Sequence, residues 1–232
     1  MKAAFRFIGK LILWCFGLSI GITVLYRFVP VPLSPLMLIR LTEAPQQQQK
    51  HRLKKQWVSY DKISPELVKA VVASEDQKFM QHSGFDFEAI EKAKKRNKSG
   101  KKRKLGGSTI SMQTAKNVFL WPARNWFRKG LEAYFTVLIE LLWPKQRIME
   151  VYLNVIEMGP GIYGAEAASQ HWFGKPAAKL SSREAALLAA CLPDPRRRNP
   201  ARPSAYISGR ATAIQAQMYR LPKSSWPQPT AK

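Results

Sequence analysis

Two glutamates occupy positions where a carboxylate could carry acid–base chemistry. Val68, Val71 and Val72 form an apolar stripe at helical spacing, and Glu75 falls seven residues after Val68 on the same face. A carboxylate there is poorly solvated and close to a helix C-terminus, and both effects favour its protonated form. Such a group can exchange a proton near neutral pH. The plainer alternative is a buried glutamate paired with one of the chain's many basic residues. Glu132 sits on the shoulder of another helix's apolar face, one turn after Arg128, while Glu140 is centred on that helix's polar side near Lys129 and Thr136. The plainer reading of Glu132 is an i,i+4 pair with Arg128, worth about 0.2–0.5 kcal/mol. Two carboxylates at one site would suit chemistry at a sugar carbon, one activating an oxygen and the other assisting the leaving group. Spacing along the chain leaves open whether they meet.

The residues between them suit a phosphate. Gly106-Gly107-Ser108-Thr109 is a Gly-rich turn ahead of a helix start, an arrangement that can bind an anion but that taken alone reads better as a plain N-cap. It is not a Walker loop, since no Gly-Lys-Ser/Thr follows at the required spacing. Lys116, Arg124, Arg128 and Lys129 then crowd the stretch before Glu132, although any one alone would read as solvated charge. Residues 92–104 hold nine basic residues among thirteen and no acid. That run reads as a flexible, solvated loop able to attract anionic lipid or nucleic acid. No histidine–carboxylate cluster marks a metal site. His82 reads as a structural partner holding the loop after Glu75, and Ser108 has neither a nucleophile elbow nor a nearby base.

These groups must be positioned by a mainly helical domain tied to a membrane. The chain has 232 residues, a formal net charge of +23 and a hydrophobic fraction of 46%, enough apolar surface for one real core. Two cysteines exclude a disulfide framework and a cysteine-based zinc site. The charge calls for an anionic partner. Leu11–Tyr26 carries no charge between Lys10 and Arg27, and snorkelling of those two lengthens the apolar stretch to a full span over 11–29. A cleaved signal peptide is the alternative, but no A-x-A site follows before Arg27. The excess of basic residues before the span places residues 1–10 in the cytoplasm and the rest outside, which demotes nucleic acid as a partner. Residues 30–57 read as a stalk, because Pro30, Pro32 and Pro35 prevent regular continuation. The globular domain covers 58–221, and 222–232, with three prolines, reads as a disordered tail. Within the domain, Ser64-Pro65-Glu66 opens a helix and Ser181-x-x-Glu184 is a capping box. Helical spacing extends over Phe127–Trp143 and Arg147–Val155, and no alternating run supports more than a small hairpin.

In order, the chain reads Glu75-Asp76-Gln77-Lys78-Phe79-x-x-His82-x-Gly84-x-Asp86, then Gly106-Gly107-Ser108-Thr109-Ile110-x-x-Gln113-x-x-Lys116-Asn117, then Arg128-Lys129-x-x-Glu132 and Ile148-x-Glu150-x-Tyr152-Leu153-Asn154. Over residues 60–215 this resembles the peptidoglycan glycosyltransferases shared by class A penicillin-binding proteins and their monofunctional relatives, and no transpeptidase motif set follows. The resemblance implies a lysozyme-like α domain that polymerises lipid II, with inversion at the anomeric carbon and release of undecaprenyl diphosphate. It implies that Glu75 is the general base and that Glu132 aids departure of the diphosphate. Lys116, Arg124, Arg128 and Lys129 match the basic residues around that diphosphate, and Ser108, Gln113 and Asn117 match polar substrate contacts. Asp76, Phe79, His82, Gly84, Gly107 and Thr109 match residues that build the motifs. Met112 stands where the family commonly has glutamine. The resemblance implies no required cofactor, leaving a divalent cation (Mg or Mn) open. The implied partners are lipid II, polyprenyl-diphosphate-linked glycan, membrane lipids and other cell-wall synthesis or division proteins, at the inner membrane with the domain in the periplasm. Two other classes stay open on the residues alone: a glycan-cleaving enzyme of similar fold, and an anchored scaffold using 92–104 to hold anionic polymers. A phosphate clamp between the glutamates argues against the first, since cleaving a glycan needs none.

Overall fold

The computed structural model describes residues 2–43, 53–99, 106–123 and 125–228. It is mainly α. The first helix, α1 (Lys2–Phe28), contains an apolar stretch, Phe5–Phe28, long enough to cross a membrane. At 1.5 Å per residue its 24 residues reach about 36 Å. Cys15 is exposed on this helix, whereas Cys191 is buried in the domain.

The segment after α1 is folded onto the domain, which corrects its reading as a stalk. Pro35 starts α2 (Pro35–Glu43) instead of preventing a helix, because first-turn N–H groups have no helical partner to lose. The hydroxyl of buried Ser34 accepts from Met37 N at 3.4 Å, and Val31 and Met37 are fully buried in the core. Lys55 clamps this segment by donating to the carbonyls of Val31 and Pro32. Lys55 belongs to β1 (Lys54–Lys55), which pairs parallel with β3 (Ile162–Tyr163); β2 (Glu157–Gly159) completes the small sheet antiparallel to β3.

The core is built from α3 (Pro65–Glu75), which lies against α9 (Ser182–Cys191) and α10 (Ala205–Arg220), and from α5 (Ile110–Phe119), which lies against α6 (Trp126–Leu142) and α7 (Lys145–Val155). α4 (Phe87–Lys98) packs Ala93 inward, and α8 (Ala165–Phe173) covers the sheet. Local signals set the starts: Ser64 caps α3, and Ser181 with Glu184 forms the expected box on α9. α4 takes in residues 92–98 of the basic run, so that half is helix, capped by Asp86 accepting from Ala89 N at 2.9 Å. Residues 100–104 of the run lie outside the described residues.

The helix α6 is inside-out. Its buried residues are Glu132, Thr136 and Ile139, while Val137 and Leu141 are 45% and 76% exposed. Glu140, on the polar side as its spacing predicts, is turned inward with that side, its side chain 9% exposed, and accepts from Ser111 Oγ and from Lys145 Nζ at 2.7 Å. The apolar side of α6 faces α1. Tyr134 hydrogen-bonds Ser19 (2.7 Å) and meets Phe16 edge-on, and beyond the helix Trp143 donates its indole N–H to Thr23 O (2.7 Å). Arg147 caps the end of α1 by donating to the carbonyls of Tyr26 and Val29.

The C-terminal tail is also ordered through residue 228, against the reading of 222–232 as disordered. Lys223–Ser225 forms a 3-10 turn, Ser225 and Trp226 are buried, and the Tyr60 hydroxyl donates to Pro227 O. The indole supplies apolar area that outweighs the cost of ordering a Pro-containing segment. Residues 229–232 lie outside the described residues. Trp226→Ala is therefore expected to destabilise the fold by about 3–5 kcal/mol, as for a buried aromatic. Thermal unfolding in detergent measures this, and an unchanged midpoint would show that the tail contributes nothing.

Candidate active site

Glu75 is the last residue of α3, and it is half-buried at the mouth of a cleft of about 310 Å³ that Ser108 and Thr109 also line. Its Oε2 accepts from the Gln113 side-chain N–H at 3.1 Å. The other end of that amide accepts from the Tyr152 hydroxyl at 3.2 Å, which fixes which way the amide points. Tyr152 is 1% exposed on α7, and burial raises its pKa well above the usual tyrosine value, so it stays a donor. Burial likewise raises the pKa of Glu75. The Gln113 hydrogen bond and the attraction of Arg210 and Lys116 oppose that rise, and the charge of Asp76 adds to it.

The loop after Glu75 is locked to the start of α5. Asp76, 7% exposed, accepts from His82 Nε2 at 3.0 Å and from Ile110 N at 3.0 Å. His82 Nδ1 accepts from Gly84 N at 3.2 Å, so the ring is the neutral Nε2–H tautomer. Thr109 caps α5 by accepting from Met112 N, and its hydroxyl donates to Gly84 O at 2.6 Å. Gly84 has φ +91°, and a Cβ there would lie 2.8 Å from Thr136 Cγ2. A side chain at Gly107 would press to 3.1 Å from the Ile90 backbone. Phe79 is fully buried beneath Lys145. These residues build the site's frame.

Two further helices bring the cations. On α5, Lys116 reaches the surface at the cavity it lines, and desolvation lowers its pKa; Glu132 and Glu75 raise it, while Arg128 and Lys129 lower it further. Lys116 thus stands within electrostatic reach of both glutamates. α6 is capped by Asn125, which accepts from Arg128 N at 2.7 Å. Its buried Glu132 takes Arg128 Nη1 at 2.7 Å on one oxygen and Lys129 Nζ at 2.5 Å on the other. The i,i+4 pair expected from spacing therefore exists, but as part of a three-residue cluster in which Glu132 is buried and Lys129 reaches solvent. Asn117 donates to Gln113 O at 2.8 Å and lines a cavity of about 530 Å³ with Lys116 and Arg128. Ser108 also lines a more apolar cavity of about 480 Å³ together with Met112 and Lys129, so Met112 faces an apolar space. Arg124 lies outside the described residues.

The sequence reading missed Tyr152 as a site residue and missed Arg210 altogether. A tyrosine on a helix face as apolar as that of α7 needs a hydroxyl partner, and that signal was available for Tyr152. No local signal marks Arg210 on α10. Chemically, the arrangement offers a carboxylate poised to accept a proton beside a cluster of cations able to stabilise a departing anion.

A family model described as Transglycosylase matches residues 42–219, most of the chain and every group above. The chain belongs to the transglycosylase family. Three relatives are each named biosynthetic peptidoglycan transglycosylase. The protein of Bdellovibrio bacteriovorus is 56% identical over 90% of this chain and 83% of its own length. That of Bacteroides thetaiotaomicron is 54% identical over 96% and 90%, and that of Rhodospirillum centenum 57% identical over 87% and 84%. The helical domain of this transglycosylase is lysozyme-like, as the sequence resemblance implied.

Two outcomes follow for Glu75 of the transglycosylase. Its folded pKa lies above the unfolded value, so its ionised form costs stability at pH 7 and nothing below pH 4.5, where it is protonated in both states. Glu75→Gln should accordingly raise the thermal midpoint at pH 7.5, with the gain vanishing near pH 4; a lower midpoint at pH 7.5 would contradict the assigned burial cost. Gln113→Met removes the hydrogen bond that favours the carboxylate, so the Glu75 carboxyl should titrate at higher pH in a carbon-13 experiment. A downward shift would exclude this contact.

Proposed function

We propose that this chain polymerises lipid II into β-1,4-linked glycan strands with inversion at the anomeric carbon. Glu75 acts as the general base: its carboxylate takes the proton from the 4-hydroxyl of an acceptor sugar as that oxygen attacks the anomeric carbon of the donor. The bond from that carbon to the diphosphate breaks, and its electrons leave with undecaprenyl diphosphate. Lys116, Arg128 and Lys129 offset the charge that develops there, and Glu132 holds the latter two in place. Ser108, Gln113 and Asn117 contact substrate, and Arg124 adds a further cation. The observation that carries this reading is Lys116, lining a cavity within electrostatic reach of a glutamate of raised pKa on one side and of a cation-bound glutamate on the other.

No cofactor is required in this scheme. No step is routed through a divalent cation, and both oxygens of Glu132 are engaged by Arg128 and Lys129. The domain works at the outer face of the inner membrane, with the N-terminus in the cytoplasm. Trp126 and Phe127, 91% and 70% exposed on α6, support contact with membrane lipids. The partners are lipid II, the growing polyprenyl-linked glycan and other cell-wall synthesis or division proteins, with no nucleic acid among them.

The test is polymerisation of purified lipid II by the detergent-solubilised full chain. Wild type should give ladders of longer glycan. Glu75→Gln should lose about 100- to 1000-fold in rate, as for removal of a positioned base. Lys116→Ala should lose about 10- to 100-fold, as for a charge-assisted contact. Wild-type turnover in both variants would sink the assignment, and wild type that spares lipid II but clears preformed glycan would point to a hydrolase.

A further inference from the structure

The 530 Å³ cavity beside Lys116 is closed on one side by α2, a helix outside the catalytic motifs. Leu36 and Arg40 line it, and their i,i+4 spacing puts both on one face of that helix. Fully buried Met37, between them in sequence, pins α2 to the core, and Lys55 holds the segment leading into it. The face bearing Leu36 and Arg40 is therefore fixed toward the cavity. From the domain side come Lys116, Leu120, Trp121 and Arg128. The lining thus combines three cations with three large apolar side chains and contains no carboxylate. Arg128 Nε, buried along this wall, has no hydrogen-bond partner in the protein. A buried donor left in that state calls for an acceptor from a ligand.

A ligand that satisfies this lining must be polyanionic at one end and apolar next to it. We propose that α2 forms part of the binding site for an isoprenoid diphosphate, with Arg40 as a phosphate-binding residue and Leu36 and Trp121 as contacts for the adjoining isoprene units. The inference rests on the reading above and deepens it: the segment between anchor and domain becomes a wall of the donor site. Arg40 acts through its guanidinium, which can pair two phosphate oxygens at once, whereas Lys116 acts as a compact charge. Because α2 follows α1 after six residues, the cavity sits next to the end of the apolar helix. A lipid-borne tail could leave it without crossing the polar surface of the domain.

The experiment measures binding of farnesyl diphosphate, inorganic diphosphate and farnesol to the full chain in detergent, for wild type, Arg40→Gln, Arg40→Lys and Leu36→Ser, with thermal midpoints checked for each. Wild type should bind farnesyl diphosphate more tightly than either other compound. Arg40→Gln should weaken both diphosphates about tenfold, the loss of one charge-assisted contact, and Arg40→Lys should recover part of it. Leu36→Ser should weaken farnesyl diphosphate and leave inorganic diphosphate unchanged, an effect that a general loss of folding would not produce. Wild-type affinity in Arg40→Gln, or farnesol binding as tight as farnesyl diphosphate, overturns the proposal. Wild type that polymerises lipid II while Arg40→Gln keeps its diphosphate affinity sinks this site alone. Wild type that makes no glycan while Arg40→Gln still loses diphosphate affinity sinks the activity and leaves the site standing.

Discussion

The polar face of α6 is turned into the protein, and the arrangement of the site depends on that orientation. A helix can bury Glu132, Thr136 and Glu140 only if each finds partners, since an unpaired buried charge costs more than any single contact returns. Each is satisfied by a different neighbour. Glu132 takes Arg128 and Lys129 of its own helix, the Thr136 hydroxyl donates to Glu132 O one turn back while its methyl group packs against Gly84, and Glu140 takes Ser111 of α5 and Lys145 of α7. Lys145 in turn donates to His82 O, so the same carboxylate ties α6 to the loop that follows Glu75. Through that node α5 is fixed at its start by Asp76 and along its side by Glu140. A ten-residue helix held at both points presents Gln113 to one glutamate and Lys116 to the neighbourhood of the other.

The electrostatics of this assembly are unfavourable until an anion arrives. Desolvation works against the charged forms of both Glu75 and Lys116, and Arg128 and Lys129 push further against Lys116. A chain of net charge +23 adds no general relief. A site shaped for a charged transition state carries such a cost, because its donors are aimed in advance where negative charge will develop. The Tyr152–Gln113 pair opposes the rise in the Glu75 pKa with neutral groups, alongside the attraction of Arg210 and Lys116.

What could be read from the sequence was what neighbours in the chain decide. The caps at Ser64 and Ser181, the burial of Glu75 behind the valine stripe and the Arg128–Glu132 pair all follow from three- or four-residue spacings. The errors share one cause, which is that a partner distant in sequence decided the outcome. Glu140 does lie on the polar side of α6, as its spacing predicts, but a helical wheel knows only its own residues, and it is Ser111 and Lys145 that turn that side inward. Pro35 was taken as a breaker because proline interrupts a helix everywhere except its first turn, and Met37 and Lys55 made that turn worth forming. The tail was taken as disordered on its prolines, whereas Trp226 finds a buried place beside Tyr60. The Glu75–Gln113–Tyr152 chain joins three helices and leaves no trace in any one of them.

An inside-out helix needs an apolar surrounding for its outer face, and here α1 supplies only part of one. Tyr134, Trp143 and Arg147 fasten α1 at Ser19, Thr23, Tyr26 and Val29, so the contacts run along α1 as well as capping its end. Hydrogen bonds to main-chain carbonyls hold a direction as well as a distance, so these contacts orient the anchor on the domain. Trp126, Phe127 and Leu141 remain uncovered on α6. An aqueous surface would make that exposure costly, while the boundary of a bilayer crossed by α1 would remove the cost. Fixing α1 across a bilayer then fixes the depth of α6, and with it the depth of the cations on its inner side. A substrate whose charged end cannot leave the membrane surface would meet those cations without either partner having to move off it.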